Sequence, residues 1–335
     1  KTLNWRFRKS KKEDRTKMRM DTLDKDLDIR DKWLGIRQLK QEYQPHTYAR
    51  TTKEGQQIAP KDRAQKAAEY LAKEQWGRKR KREDDTETEQ PAKRTDKIRA
   101  ARDTQDKYNT EEITIEEIWR TLKKFKRRKA PGPDEIPMEL FKEMDNDSLE
   151  GIRELLNKWW QEEDVPIDTL KARVVLIYKK GDTSKYENYR PISLLNAIYK
   201  IYAGIIQKRL AKTLDGYLSK TQYGFRKDKS TADAIQLVRR VTEFGQGTNN
   251  KLHMVLLDWE KAFDKVDRNK MFEALERMSV NSKYINIIKS LYKNTQFKVE
   301  IEGDSSKWLK QETGIRQGCP LSPYLFIIVM TVMFE

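Results

Sequence analysis

An α+β fold, with helices packed on a small and mostly antiparallel sheet, is what this sequence predicts. Two observations carry the prediction. Amphipathic helical periods and short apolar strand runs follow one another without the regular alternation of a doubly wound sheet. The texture also changes near residue 110: the chain before it is mostly charged with helical islands, and the chain after it has the apolar periodicity of a core. The expected boundary therefore falls near residue 110, with residues 1–110 as a charged, helical and partly disordered basic arm.

Composition narrows the partners. The 335 residues carry 70 Lys and Arg against 53 Asp and Glu, a net charge of +17. That surplus favours a polyanionic partner, nucleic acid or an anionic membrane surface. No stretch reaches the roughly 18–20 apolar residues of a membrane span, and the longest run is "YLFIIVMTVMF" at 324–334. Nucleic acid is therefore the expected partner, and no membrane is. A single cysteine, Cys319, excludes an internal disulfide framework and suits a reducing compartment. The chain opens on Lys1 rather than Met and stops at Glu335 directly after its apolar run, so it is expected to be a piece of something longer.

The elements follow in order. "DRAQKAAEYLAKEQWG" sets Ala64, Ala67, Ala68 and Leu71 on one helical face and ends at Gly77. "RKRKR" at 78–82 and the acidic run after it form a charge-block linker that buries too little apolar area to fold. "TIEEIWRTLKKF" has Thr114 and Glu117 at capping-box spacing, with Ile115, Ile118, Leu122 and Phe125 on one face. "KAPGPDEIP" is a Pro/Gly loop. "SLEGIRELLNKWW" is an amphipathic helix, and Val174 to Tyr178 a short strand running into a basic turn. "ISLLNAIYKIYAGIIQKRL" is a long helix with Leu195, Ile198, Tyr202, Ile205 and Arg209 on its inward stripe. "LHMVLLD" reads as a strand buried on both faces. "RNKMFEALERM" and "KYINIIKSLY" are helices, and "FKVEIEG" is a strand. The last helix takes Ser322 as its N-cap and Pro323 at its first position.

"LLDWEKAFDKV" at 256–266 ends its strand at Asp258, where a rigid carboxylate can hold Mg²⁺ beside substrate phosphates. An isolated strand-end aspartate more often caps the turn after it. The company it keeps reverses that reading. "KAPGPDEIP", "LIYKKGD…YENYRPISLLNAIYK", "TQYGFRKDKSTADAI", "LLDWEKAFDKV" and "GIRQGCPLSPYLF" occur in this order. The series resembles the reverse transcriptase of non-LTR (LINE-type) retrotransposons over residues 111–335. The resemblance implies right-hand polymerase fingers and the start of the palm over residues 111–250, and the truncated palm over 251–335, with the basic arm of 1–110 as a connector. It implies RNA-directed DNA polymerisation, an RNA template, a DNA primer or target, dNTPs, Mg²⁺ (Mn²⁺ as its substitute), and a nuclear site of action after synthesis in the cytoplasm. A group II intron maturase shares the palm, and a non-catalytic nucleic-acid-binding remnant is the other class left open.

The resemblance also assigns residues. Asp258 is the catalytic metal ligand, with the Trp259 backbone carbonyl beside it. Phe263 packs under the incoming sugar and selects against a 2′-hydroxyl. Lys180 and Arg190, with Lys179 as a further candidate, neutralise the triphosphate. Gln317 and Gly318 contact nucleotide and template. Asp264 is expected to support the turn and Asp267 to cap the next helix. Lys124, Lys126, Arg127 and Arg128 in the basic run at 123–129, with Gln222, Tyr223 and Arg226, are the candidate nucleic-acid contacts. Core packing is the alternative for Tyr223 and its neighbours. The aromatic-x-Asp-Asp hairpin that supplies further carboxylates in similar enzymes has no counterpart after residue 320; the acidic pair Asp84-Asp85 lies in the charged linker. The 335-residue chain alone is accordingly expected to lack polymerase activity, and its last helix to expose apolar surface.

Overall fold

A computed structural model of the chain describes residues 50–52, 54–77, 105–248 and 251–335. The sheet is mixed. Strand β3 (Ala172–Tyr178) is central: it pairs antiparallel with β4 (Tyr189–Leu195) and parallel with β5 (Gln296–Ile301). Two short strands, β6 (Asp304–Ser305) and β7 (Leu309–Lys310), pair antiparallel with β5. The β3–β4 hairpin runs in unbroken register from Ala172↔Leu195 to Tyr178↔Tyr189. A separate two-residue ladder joins β1 (Arg50–Thr51) to β2 (Gln57–Ile58).

Helices cover this sheet as their periodicity requires. α1 (Arg63–Tyr70) buries Ala64, Ala67 and Ala68 and continues into a π-turn, Leu71–Gln75, that buries Leu71. Small side chains on that face let the helix lie close on β5. Residues 63–77, part of the compositional arm, are thus fastened to the sheet. Trp76 meets Phe297 edge-on at 4.6 Å between centroids, and its carbonyl accepts the backbone N–H groups of Glu312 and Thr313. α2 (Ile115–Leu122) starts on the expected capping box: the Thr114 hydroxyl accepts Glu117 N–H and the Glu117 carboxylate accepts Thr114 N–H, each at 3.2 Å. α2 packs against α5 (Ala197–Leu214), which buries Tyr202, Ile205 and Arg209 of its expected stripe. Between them in the chain come α3 (Met138–Lys142) and α4 (Asn146–Glu162). α6 (Thr231–Gly247) is capped by Ser230 but leaves Ile235, Val238, Val241 and Phe244 exposed. α7 (Arg268–Arg277) is N-capped by the Asp267 carboxylate, as expected, and α8 (Ser282–Tyr292) follows it. The last helix, α9 (Ser322–Met333), packs on α7.

Four expectations change. The long helix expected over 192–210 starts only at Ala197: residues 192–195, with Leu195 of its expected stripe, lie on β4, where the ladder with β3 takes their backbone groups. The run 252–258 is not a strand: it carries no regular element and no ladder, and Val255, Leu256 and Leu257 are 81, 86 and 70% exposed. Periodicity marks a segment as fit for a sheet, but a strand forms only where a neighbour takes its backbone N–H and C=O groups. Strand β3 is filled on both sides by β4 and β5, and no described strand pairs with 252–258, not even at the outer edge of β4. The last helix begins at Ser322 with Leu321 as its cap, one residue before the expected start. It also buries Leu325, Ile327 and Ile328 and exposes only its end, at Met333 and Phe334, so most of the exposed apolar surface lies on α6 and on 254–257.

Candidate active site

The site is built around a buried carboxylate. Asp264 ends the turn that follows residues 256–258 and is 2% exposed. It accepts three side-chain hydrogen bonds: from Trp76 Nε1 at 2.9 Å, Gln75 Nε2 at 2.9 Å and Gln317 Nε2 at 3.0 Å. Burial pushes its carboxyl above the usual aspartate range, and these bonds pull the other way. Asp264 thereby ties three distant segments together: the end of the π-turn, the turn at 258–266 and the loop at 314–321. Its acceptor sites face protein donors, which fits the supporting role expected for it.

The 314–321 loop is shaped by two glycines. Gly318 has φ +128°, and a Cβ there would stand 2.3 Å from the Ser193 carbonyl oxygen on β4. Gly314, at φ +76°, has room for no Cβ against the Asp264 carbonyl oxygen, 2.6 Å away. Close approach permits short backbone bonds: Ser193 N–H donates to the Gln317 carbonyl at 2.7 Å, Ile315 N–H to the Phe263 carbonyl at 2.8 Å, and Gly314 N–H to the Val266 carbonyl at 2.9 Å. Arg316 is buried under the loop, donates to the Leu170 carbonyl and lies 5.5 Å from the Tyr199 ring centroid. Cys319 is buried and accepts a hydrogen bond from the Tyr199 hydroxyl, which fits a packed residue. Gly318→Ala should cost about 1–3 kcal/mol through strain and collision at this contact, read as a lower urea midpoint at unchanged slope.

Phe263 stands beside this loop. Its ring stacks on Phe326 of α9 at 5.0 Å and meets Phe225 of the "QYGFR" segment edge-on at 6.0 Å. The structure therefore brings together Phe263, Asp264, Gln317 and Gly318. Asp258 and Trp259 stand on the exposed segment just before them, with no hydrogen bond or ion pair among the described residues. Lys180 and Arg190 are exposed on the β3–β4 hairpin, also without an ion pair among the described residues.

The candidate nucleic-acid contacts differ in how free they are. Lys124, Lys126, Arg127 and Arg128 lie on an exposed stretch after α2; Arg127 pairs with Glu143 at 2.5 Å, and Arg128 N–H donates to Glu139. Arg226 is committed inward: Nη2 and Nε hold the Asp215 carboxylate at 3.0 and 3.2 Å, and Nη1 donates to the Ser219 carbonyl at 2.8 Å. Gln222 Nε2 donates to the Gly224 carbonyl, and Tyr223 lies 5.8 Å from Lys229 Nζ.

Sequence reasoning missed the contribution of the arm. Gln75 and Trp76 read as the end of an ordinary helix, and nothing in their spacing points to Asp264. Arg50 was equally silent. It donates to the Thr183 carbonyl and the Tyr189 hydroxyl and lies over the Tyr189 ring at 4.1 Å, bracing the hairpin that carries Lys180 and Arg190.

The donor set fits a metal only in part. Among the described residues no three His, Cys, Asp or Glu side chains come together. Asp258 offers one exposed carboxylate with backbone carbonyls beside it. That suits a cation drawing its remaining oxygen ligands from phosphates and water, not an all-protein cage.

Residues 177–335 match the family model of reverse transcriptase (RNA-dependent DNA polymerase). The chain is 29% identical over 218 residues to a TX1 transposon protein of Xenopus laevis, covering 65% of this chain and 17% of that protein. It is 27% identical over 228 residues to a retrovirus-related Pol polyprotein from the type-1 retrotransposable element R2 of Nasonia vitripennis, covering 66% and 22%. It is 27% identical over 227 residues to the RNA-directed DNA polymerase from mobile element jockey of Drosophila melanogaster, covering 66% and 24%. The chain thus spans about a fifth of the length of these relatives.

Proposed function

We propose, from the match of residues 177–335 to the reverse transcriptase family model and the similarity to retrotransposon proteins, that the chain is part of an RNA-directed DNA polymerase of the LINE-type kind that copies RNA into DNA. The observation that carries this reading is the joining of Asp264, Gln317 and Phe263 by direct contacts around the turn that follows Asp258. Two sequence blocks whose contacting residues are 53 positions apart meet there, which supports a nucleotide site.

In this reading each residue has a physical task. Lys180 and Arg190 are exposed cations on one rigid hairpin and neutralise the triphosphate. The Phe263 ring, held by Phe225 and Phe326, walls the sugar and crowds a 2′-hydroxyl. Gln317 has its Nε2 committed to Asp264, which leaves Oε1 to face a nucleotide. Asp258 holds a divalent cation, Mg²⁺ or in its place Mn²⁺, that stabilises charge developing on the phosphates. The basic stretch at 123–129 follows a nucleic-acid backbone. RNA template, DNA primer and dNTPs are the proposed partners, and the nucleus is the proposed site of action.

Two-cation phosphoryl transfer holds its ions roughly 4 Å apart with carboxylates on both, and the described residues bring only Asp258 to the place. Residues 1–335 by themselves are proposed not to extend a primer. A primer-extension assay with RNA template, DNA primer, dNTPs and Mg²⁺ tests both halves of this. The chain alone should stay at background. Fused to an aromatic-x-Asp-Asp segment and thumb from a relative it should extend, and Asp258→Ala should cut that rate about a thousandfold, equivalent to about 4 kcal/mol. Strong extension by the chain alone would contradict the first half, and extension indifferent to Asp258→Ala the second.

A further inference from the structure

A charged cavity lies away from the proposed nucleotide site and close to the basic stretch at 123–129. It is about 360 Å³, sits between α2 and α5, and is lined by Lys107, Arg120, Lys208, Arg209, Lys212 and Glu117 among others. None of residues 180, 190, 258, 259, 263, 317 or 318 reaches it. Five of those six side chains are cations. The one carboxylate is already engaged: Glu117 takes Arg209 Nε at 2.7 Å and Nη2 at 2.6 Å. Arg209 spends its remaining donors on the carbonyls of Asn109, Glu111 and Glu112.

Four cations are left facing the cavity. Arg120 pairs with Glu116 at 2.5 Å on the exposed side, and Lys107 donates to the Tyr217 hydroxyl at 3.3 Å. Lys212 makes no ion pair among the described residues. Lys208 is half-buried, and its ammonium has a neutral partner, the Thr121 hydroxyl at 2.9 Å. Burial and the nearby charges of Lys124 and Arg120 push Lys208 down to about 8, against the pull of Glu117. A concave site that crowds ammonium groups, keeps one of them under-solvated and spends its only carboxylate elsewhere lacks an anion.

We infer that this cavity binds a phosphate group, with Lys208 and Lys212 as the cations that meet it. A tetrahedral dianion or a backbone phosphodiester is the chemistry that several clustered N–H donors complement. The phosphate has two sources, a nucleic-acid strand passing over α2 and α5 or free inorganic phosphate. The inference does not depend on the polymerase reading, because neither source requires nucleotide transfer.

The test uses the full chain and two probes, inorganic phosphate and an oligoadenylate twelve nucleotides long. Adding phosphate while the Lys208 ammonium is followed by NMR should raise its titration point from about 8 toward the ordinary lysine value of about 10.4, saturably. For the oligonucleotide, the slope of log affinity against log salt should fall by about 1.4 in the Lys208→Gln/Lys212→Gln variant, two single-strand contacts at about 0.7 each. The control Lys158→Gln/Lys220→Gln should keep the wild-type slope. A changed slope assigns the cavity to a nucleic-acid strand. An unchanged slope with a saturable phosphate shift assigns it to the free ion. If phosphate leaves Lys208 untouched and the slope is also unaltered, the inference is wrong. Where the double variant does not fold, Lys212→Gln, an exposed position, reads the slope in its place, with an expected fall of about 0.7.

Discussion

Asp264→Ala should destabilise the protein by about 3–5 kcal/mol, because it strands three buried donors at once. Trp76 Nε1, Gln75 Nε2 and Gln317 Nε2 all end on this carboxylate, and no water reaches a side chain that is 2% exposed. Each unsatisfied buried donor costs about 1–3 kcal/mol, and relaxation recovers part of the sum. Asp264→Asn should cost less, since its carbonyl oxygen keeps one or two donors while its amide opposes a third. The pH dependence has a definite sign. Burial raises the folded-state carboxyl above its unfolded value, so the folded protein binds this proton more tightly. The contribution of Asp264 to stability therefore grows as pH falls through the raised value toward the unfolded value of about 4. Urea unfolding of wild type and Asp264→Ala across the acid range should show their gap widening on that descent. A gap below 1 kcal/mol at neutral pH would mean that the three donors find other partners.

Arg209→Ala is the second large effect, again about 3–5 kcal/mol. The guanidinium is 4% exposed, holds Glu117 in two places, caps three carbonyls and lies 4.8 Å from the Trp160 centroid. Truncation leaves a half-buried carboxylate and a set of carbonyls with nothing to accept. Burial pushes the Glu117 carboxyl up, but the hydrogen bonds from Arg209 and Thr114 and the Arg209 charge outweigh it and hold it below the usual range. The stability from this pair is present above the unfolded glutamate value of about 4.3 and is lost as pH falls through the lowered folded value. The gap between wild type and Arg209→Ala should thus narrow in acid, opposite to the Asp264 case. The two variants together separate a carboxylate kept charged by a cation from one strained by burial.

The legible parts of the fold share one property: their causes are local. The Thr114–Glu117 box, the Asp267 cap and the Ala64, Ala67, Ala68, Leu71 face are set by residues three or four apart, and periodicity finds them. The β3–β4 hairpin is short-range too, yet only its first strand is legible: 192–195 has the apolar run of a helix start and lies instead on β4. The opaque parts depend on partners far along the chain. Whether 252–258 becomes a strand is decided by pairing at a sheet edge, which no spacing reveals. Gln75 and Trp76 reach Asp264 across almost 190 residues, and Arg50 reaches Tyr189 across 139. The arm looked solvated because its charge dominates its composition, yet the short run 63–77 carries enough small and aromatic side chains to dock on β5.

The candidate site was legible in a different way. Block order supplied Asp258, Phe263, Gln317 and Gly318, and three of these four meet in space. The placing of loop 314–321 was not readable: it rests on the missing Cβ of Gly318 against β4, the missing Cβ of Gly314 against Asp264, and the hydrogen bond from Ser193 N–H.

The most direct test of the central claim is a crystal of the chain grown with Mn²⁺ and a dNTP, with the metal located by its anomalous scattering. The account predicts a peak in coordination with the Asp258 carboxylate and the nucleotide phosphates, lost in Asp258→Asn. A bare Asp258 carboxylate, with manganese bound elsewhere or its oxygens engaged only by neighbouring backbone amides, would contradict it.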